Sequence, residues 1–297
     1  MSRQPIAITS DWDYQVEKVP AFTPEGKATG SFMTRRVDNG RILKVGVTKD
    51  YNVVQNRELI QPVEDVLSDL GLEPTERKAY VMKNGERMRM RYIFRDEQVK
   101  IPKVGDTMGF RMDVDNSFNL SHRIRTIGGA ERLVCTNGMT TLDKEHGIAC
   151  KHSNKFNVKS VINAIKASLE GFRSLGDDDN IYTQMAGIEL DQEQGLTILQ
   201  NLTNKKVISE LRRESIARLW NSPDYSEDEG RNLYNLHNAV TQFATHELAE
   251  TNFEMSERLG LQVTKTFAEA ARNEASLVKL WTPKEEPLVQ TVDLAAN

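Results

Sequence analysis

The chain has 297 residues, of which 38% are hydrophobic and 28% charged, a balance typical of globular rather than disordered proteins. No apolar run approaches the roughly 20 residues that a membrane-spanning helix needs, and the polar N-terminus does not resemble a signal peptide. Two cysteines are too few for a disulfide scaffold and suit a reducing compartment. We therefore expect a cytoplasmic protein that makes no membrane contact.

Positive charge is concentrated in the middle of the chain. The whole chain carries a net charge of −4, yet residues 78–166 hold 17 Lys and Arg against 9 Asp and Glu. A basic centre between acidic ends indicates either a localised anion-binding surface or merely uneven surface charge. The sequence leaves both explanations open.

The first part of the chain combines extended and helical patterns. Residues 1–40, which include Pro20 and Pro24, are expected to form a partly ordered lead-in, and residues 42–48 predict a strand. The apolar residues that follow recur at helical spacing, and Gly71 is expected to end their helix. These apolar residues are Leu59, Ile60, Val63, Val66, Leu67 and Leu70.

The strongest local signal is the dipeptide Asn84-Gly85, which is favoured in two-residue turns of β-hairpins. Such a turn places Met82 opposite Arg87 and Tyr80 opposite Arg89. Strand alternation then predicts a core face that contains Val81, Met88, Met90, Tyr92 and Phe94. The other face contains Tyr80, Met82, Arg87, Arg89 and Arg91, and three arginines in register indicate a functional surface.

A second hairpin is predicted to turn on Gly128-Gly129. In that pairing Arg125 lies opposite Arg132, and Arg123 shares their face. Like charges directly opposite each other destabilise a strand pair unless an anion lies between them. An error of one residue in the turn would reverse this argument.

After about residue 156 the apolar residues recur with the period of a helix. The first stripe ends before Gly176 and contains Val158, Val161, Ile162, Ile165, Leu169 and Phe172. Helical patterns return at about 189–203, 205–220 and 227–272, and a capping box of Ser226 and Glu229 opens the last. The predicted fold class is α+β: an antiparallel β-sheet N-terminal half with a packed long helix, followed by a helical C-terminal region.

These patterns divide the chain into four expected parts. They are a lead-in segment (1–40), an α+β core domain with basic hairpins (41–176), a helical domain (177–282) and an acidic flexible tail (283–297). In the last long helix one stripe is expected to pack in the chain's own core against a single neighbouring surface: Leu233, Leu236, Val240, Phe243 and Leu248. The segment beyond Leu259, with Leu261, Val263 and Phe267, is expected to form contacts between copies in a homo-oligomer.

Several stretches together resemble a phage- and plasmid-borne family, domain of unknown function 932. The matching segments are DWDYQVEKVPAFTPEG (11–26), VGVTKDYNVVQNRELIQPVEDVL (45–67), NSFNLS (116–121), RLVCTNGM (132–139) and LYNLHNAVTQFATHE (233–247). The resemblance implies an origin in a mobile element and, by association, a role connected with DNA. Residues 116–121 depart from the family pattern, which often has a His and an Asp there, so a structural turn is the simpler interpretation of this segment.

The order of elements is also compatible with the core of single-strand annealing recombinases. In that fold a basic hairpin and one sheet face hold the DNA backbone. This architectural analogy supports nucleic acid, and single-stranded DNA in particular, as the expected partner.

The leading functional hypothesis is therefore sequence-tolerant binding of nucleic acid, with a possible annealing role in recombination. Guanidinium groups would contact phosphates, and one tyrosine would stack on a base. The candidate binding residues are Tyr80, Arg87, Arg89, Arg91, Arg123, Arg125 and Arg132. A single aromatic ring on this face argues against readout of base sequence.

Metal binding is the less favoured interpretation of a Cys/His cluster. Cys135, His146, Cys150 and His152 are zinc-type ligands, but their spacing lacks the C-x2-C knuckle of common zinc sites. A buried, inert cysteine is common in a strand such as the one expected at Cys135. No metal and no other cofactor is expected.

No standard catalytic motif occurs, so the chain is not expected to be an enzyme. The sequence contains neither a nucleotide-binding glycine loop nor G-x-S-x-G or H-E-x-x-H. Asp113 and Asp115, with Asp106 nearby, leave a metal-dependent nuclease open as a minor alternative. A non-enzymatic interaction protein, either an assembly factor or an antagonist of host defence, is the other alternative.

Overall fold

The computed structural model describes residues 11–133, 138–139, 147–150, 158–249 and 252–283. It begins with a three-stranded antiparallel sheet of β1 (Val16–Phe22), β2 (Ala28–Arg36) and β3 (Ile42–Val47), in that order. The predicted strand at 42–48 is confirmed. The expected lead-in supplies the other two strands, β1 and β2. Pairing of β2 with β3 crosses the boundary expected at residue 40.

The first helix, α1 (Asn56–Asp69), follows the predicted pattern. Leu59, Ile60 and Val63 are buried on its inner face. Gly71 lies just beyond its end with a φ of 67°, a left-handed conformation that glycine adopts without steric cost. The predicted helix and its stop are confirmed.

A larger antiparallel sheet forms the centre of the protein. Its strands are β4 (Glu76–Met82), β5 (Arg87–Lys100), β6 (Thr107–Ser117), β7 (Ile124–Arg132) and β8 (Gly138–Met139) in that order, and β9 (Gly147–Cys150) also pairs with β7. Antiparallel sheets in the N-terminal half and helices in the C-terminal half give the α+β class that the sequence predicted.

The first predicted hairpin is confirmed in its register. Met82 pairs with Arg87 and Tyr80 pairs with Arg89 across β4 and β5. The turn itself is wider than expected, because Lys83 joins Asn84 and Gly85 at positive φ, with values of 52°, 58° and 99°. The predicted core face is confirmed on β5, where Met88, Met90, Tyr92 and Phe94 are all buried.

The second predicted hairpin is wrong, because Gly128 and Gly129 lie in the middle of one continuous strand, β7. Glycine at position 128 is needed for helix packing and not for a chain reversal. A Cβ atom on Gly128 would lie 2.3 Å from Cβ of Ser168 on helix α2 (Val158–Arg173), so only glycine lets this helix approach the sheet. A glycine pair in a strand therefore mimicked a turn signal.

The remaining α-helices are α3 (Ile181–Ala186), α4 (Gln192–Asn204), α5 (Glu210–Asn221), α6 (Leu233–Gln242), α7 (Phe253–Arg272) and α8 (Glu274–Trp281). A π-helix, Phe243–Leu248, continues α6 directly. The helical patterns in α2, α4 and α5 are confirmed. The helix expected from residue 227 begins at Leu233 instead, where the Asn232 side chain accepts a hydrogen bond from the Asn235 amide. Ser226 lies in a short 3₁₀ turn, Ser226–Asp228.

Helix α6 is buried on every side. The predicted apolar stripe is buried, but so are the polar residues His237, Asn238 and Thr241. Buried polar groups need hydrogen-bonding partners. The Asn238 side chain donates to Asp228, and Nε2 of His237 lies 2.8 Å from Oγ1 of Thr264. The expectation that this helix contacts a single neighbouring surface is wrong.

One hydrophobic core connects the sheet to the helices. It runs from Val54 to Leu280, and within it the rings of Phe110 on β6 and Phe172 on α2 are 5.2 Å apart. The core is therefore continuous across residue 176, while the expected division into domains stays a prediction. Within the described residues, no helix combines the length and apolar character that crossing a bilayer requires.

The apolar side of helix α7 belongs to this core. Leu259, Val263 and Phe267 are at most 4% exposed, and Phe267 lies beside the ring of His237 on α6. Val263 and Phe267 are therefore not available to bind a second copy, contrary to the expectation for this segment. The homo-oligomer itself stays a prediction.

Changing Phe267 to Ala should lower the free energy of unfolding by about 3–5 kcal/mol, since a fully buried ring would leave a cavity. Urea unfolding of Phe267→Ala and of Gln262→Ala, an exposed position on the same helix, measures the difference. An unchanged stability combined with a lower mass in light scattering would restore the oligomer assignment.

Candidate functional site

One face of the central sheet carries a row of charged residues in direct cross-strand register. Tyr80 on β4, Arg89 on β5, Asp115 on β6 and Arg125 on β7 are successive partners. The next row along the strands contains Lys78, Arg91, Asp113 and Ile127. We call this surface the arginine face and define it by eight charged residues of β5, β6 and β7: Arg87, Arg89, Arg91, Arg111, Asp113, Asp115, Arg125 and Glu131.

Two arginines of β5 each bind an aspartate of β6 with two hydrogen bonds. Arg89 donates from Nε and Nη2 to Asp115 at 2.5 and 2.8 Å, and Arg91 donates to both oxygens of Asp113 at 2.7 Å. Arg125 reaches Asp115 from the other side at 2.5 Å. Planar guanidinium groups suit such paired contacts, which fix both distance and orientation.

Helix α7 adds two carboxylates from above the sheet. Glu254 accepts a hydrogen bond from Arg87, and Glu257 accepts hydrogen bonds from Arg89. Glu257 also lies 3.6 Å from Arg125. Both glutamates belong to the first two turns of the helix, whose N-terminal cap is Asn252.

The charges of this assembly balance. The sheet contributes five arginines and three carboxylates, an excess of two positive charges, and α7 supplies two glutamates. Arg89 is completely buried and Arg87 is 3% exposed, whereas the side chains of Glu257 and Glu254 are 28% and 46% exposed. The helix carboxylates are thus more accessible than the sheet carboxylates Asp113, Asp115 and Glu131.

Neighbouring charges shift the pKa values of the buried groups. Burial alone would raise the pKa of Asp113, but Arg91, Arg111 and Arg89 hold it well below its usual range. Burial would likewise lower the pKa of Arg89, yet its carboxylate neighbours keep it above the ordinary value. These ion pairs are fully charged at neutral pH.

Two arginines are compensated less completely. Burial, together with Arg89 and Arg125, lowers the pKa of Arg87, and burial beside Arg91 lowers the pKa of Arg111. A lowered arginine pKa here means that the neighbouring carboxylates do not fully offset the loss of hydration and the repulsion from other arginines. A further anion would therefore be most favourable near these two residues.

His122 lies beside Arg87 at the edge of the face. Its Nε2 atom lies 3.2 Å from Nη2 of Arg87. Burial, with Arg87 and Arg125 nearby, lowers the pKa of His122 to about 4, so the ring is neutral at neutral pH. A cavity of about 420 Å³ opens here, and its lining includes His122, Arg125, Asn252, Glu257 and Arg258.

The structure brings five of the seven predicted binding residues together. Tyr80, Arg87, Arg89, Arg91 and Arg125 share the arginine face, and the Arg91 guanidinium lies 5.7 Å from the centre of the Tyr80 ring. Arg123 precedes β7 and is exposed, and within the described residues it forms no ion pair.

Arg132 is not part of this face. It lies on β7 at odd spacing from Arg125, so its side chain emerges on the opposite side of the sheet. There it is fully buried and pairs with Asp106 at 2.7 Å and with Asp228 at 2.7 Å. The predicted pairing of Arg125 with Arg132 depended on the second hairpin, which does not form.

Two possible metal sites were considered, the Cys/His cluster and the carboxylates of a nuclease. Of the Cys/His cluster, Cys135, His146 and His152 lie outside the described residues, and Cys150 ends β9 without a described side chain. The carboxylates considered for a nuclease are bound by arginines. Asp113 and Asp115 pair with β5, and Asp106 pairs with Arg132.

The sequence interpretation missed the carboxylates that complete the face. Arg111, Asp113 and Asp115 alternate along β6 as Arg87, Arg89 and Arg91 do along β5, a complementarity that was visible but not used. Glu254 and Glu257 lie more than 160 residues from their arginine partners. Within the sequence, nothing in their local pattern indicates this contact.

Comparison with known proteins gives a family without an assigned activity. The family model described as "Domain of unknown function (DUF932)" matches residues 45–279, which include the whole arginine face and both glutamates of α7. No curated protein matches the chain. No solved structure matches it either.

Changing Arg89 to Gln should lower the free energy of unfolding by about 3–5 kcal/mol, because Asp115 and Glu257 would lose the guanidinium that compensates them. Arg173→Gln, at a side chain that is 62% exposed, is the matched control and should change little. Chemical unfolding at neutral pH measures both. A loss below about 1 kcal/mol for Arg89→Gln would contradict this account of the ion pairs.

His122 should make stability depend on pH. Its pKa is about 4 in the folded protein and near 6.5 in the unfolded chain, which therefore binds more protons between these values. This contribution is present above about pH 6.5 and is lost as the pH falls towards 4. Unfolding of His122→Asn across this range should show a shallower decline than the parent protein. Parallel curves of unfolding free energy against pH for the two proteins would mean that burial and the neighbouring arginines do not lower the pKa of His122.

Proposed function

The chain belongs to the family of domain of unknown function 932, and we propose that it binds the backbone of single-stranded nucleic acid through the arginine face. The observation that carries this proposal is the position of Glu254 and Glu257. Two carboxylates of one helix turn rest on guanidinium groups, where successive phosphates of a nucleic acid strand would bind in their place. Binding is then an exchange of one set of anions for another.

Only the start of α7 has to move for this exchange. The glutamates lie in its first two turns, whereas Leu259, Val263 and Phe267 anchor the rest of the helix in the core. Helix ends open at a lower cost than helix centres, because their amides have fewer partners within the helix. Displacement of residues 253–258 would expose Arg87 and Arg89 and leave the fold intact.

The incomplete compensation of buried Arg87 supports the choice of a polyanion. Arg87 keeps a lowered pKa although Glu254 is its partner, and that partner is 46% exposed. A phosphate carries its charge at any pH where the protein is folded and offers several oxygens to a guanidinium. A strand of phosphates can therefore satisfy Arg87 and Arg125 better than the two glutamates do.

The composition of the face supports sequence-tolerant binding. The cationic groups that define the face are guanidiniums, which contact phosphates whatever the base. Tyr80 supplies an aromatic ring, which lies against Arg91. Stacking on a single ring is tolerant of sequence, since every base has a π face.

The proposal extends to the biological setting. It places the protein in the bacterial cytoplasm as the product of a phage or plasmid, with a role in the annealing or protection of single strands during recombination. Assembly into homo-oligomers would align several arginine faces along one strand. The resemblance to a mobile-element family supports this setting, and the charges of the face support the partner.

Replacing Glu254 and Glu257 with Gln should strengthen the binding of a single-stranded oligonucleotide. The double variant keeps side-chain size but removes the two carboxylates that offset the arginine charge, so the site can neutralise up to two more phosphate charges. The slope of log affinity against log salt should become steeper by about 1.4, at about 0.7 per phosphate contact. Fluorescence anisotropy at several salt concentrations measures this change.

The matched control is Glu269→Gln on the exposed side of the same helix, which alters net charge but not the arginine face. It should leave the slope unchanged. Equal effects of both changes would mean that general charge drives binding. Absence of binding by the parent protein and by the double variant at low salt would contradict the proposal and favour an interaction protein without nucleic acid.

A further inference from the structure

A second basic site lies away from the arginine face, between α7 and the connection from α4 to α5. A cavity of about 380 Å³ opens there, within the size range of small-molecule pockets of roughly 300–1,000 Å³. Its lining includes three cations, Lys206, Arg212 and Arg258, and none of its ten described lining residues is an acid. Lys206 and Arg212 do not line the cavity at the arginine face.

These cations have no internal counter-ion. In the part of the chain that the structure describes, none of the three forms an ion pair within 4 Å, although most arginines of the protein do. The neighbouring Arg213, by contrast, binds Glu210 at 2.8 Å. Three like charges around one cavity repel each other, so the site is electrostatically incomplete.

Arg212 shows this most clearly. The residue is half-buried, and the hydrogen bond that its guanidinium makes among the described residues goes to the thioether sulfur of Met255. A thioether is a weak hydrogen-bond acceptor and carries no charge. A guanidinium held in this way is positioned for an anion that the described residues do not supply.

The other groups at the cavity fit a phosphate ester with an apolar body. Ser209 caps α5 without a side-chain hydrogen bond to the helix, so its hydroxyl can donate to an anion beside the first amides of that helix. The floor is apolar and includes the buried residues Ile208 and Leu259. A phosphate monoester carries up to two negative charges and a carboxylate carries one. Three cations around one cavity therefore match a phosphate monoester better than a carboxylate.

We propose that this cavity binds a phosphate monoester, with Lys206, Arg212 and Arg258 around the phosphate and the ester group on the apolar floor. The ligand is either a mononucleotide or the 5′-phosphate end of a nucleic acid strand, which share this chemistry. Lys206 and Arg212 line this cavity alone, whereas Met255 and Arg258 also line the cavity at the arginine face. Binding of a mononucleotide here does not require residues 253–258 to move, so it is tested separately from strand binding at the arginine face.

Calorimetric titration of the full chain with adenosine 5′-monophosphate, adenosine and inorganic phosphate tests the proposal. The monophosphate should bind and adenosine should not, and inorganic phosphate should bind more weakly because it lacks the ester group. Arg212→Gln should weaken binding by about tenfold or more, the loss expected for a charge-assisted hydrogen bond. Arg213→Gln, one residue along the same helix, is the matched control and should bind like the parent.

Two further comparisons decide between outcomes. A pentanucleotide with a 5′-phosphate that binds better than its 5′-hydroxyl form, and loses that advantage in Arg212→Gln, would identify the strand end as the source. The proposal is overturned if the monophosphate and adenosine bind alike, if neither monophosphate nor phosphate binds at millimolar concentration, or if Arg212→Gln and Arg213→Gln have equal effects. None of these results depends on Glu254 or Glu257, so the two proposals fail separately.

Discussion

The bidentate contact between Arg89 and Asp115 is the constraint on which the central sheet depends. A guanidinium with no exposed surface is tolerable only when carboxylates surround it, and here Asp115 and Glu257 meet that need from the sheet and from α7. The contact also fixes register. A slip of one residue between β5 and β6 would turn Arg89 towards the hydrophobic core and break both rows of ion pairs.

The same contact links the fold to the proposed function. Because five arginines share one face with only three carboxylates, the sheet needs two more negative charges, and the start of α7 provides them. Those two are the more exposed partners, at 46% and 28% for Glu254 and Glu257. The contact between the start of α7 and the arginine face therefore stabilises the free protein. It is also the contact that is easiest to break, and a strand of phosphates can then replace the two glutamates.

How much of this the sequence could predict follows from the range of each interaction. The β4–β5 register was readable, because Asn84 and Gly85 connect the strands directly. The β5–β6 register was not, because a bulge between Phe94 and Gln98 shifts the pairing after Phe94. Gly128 was misinterpreted because a glycine needed for helix packing has the same local signature as one needed for a turn. Contacts from α7 depend on tertiary packing, which leaves no periodic pattern in the sequence.

Hydrogen exchange of the α7 amides, with and without a single-stranded oligonucleotide, tests the central claim most directly. If phosphates displace Glu254 and Glu257, the amides of residues 254–258 should exchange faster in the complex, while those near Val263 and Phe267 stay protected by the core. Slower or unchanged exchange at 254–258 in a complex that is shown to form would contradict the claim, because the strand would then bind without opening the arginine face.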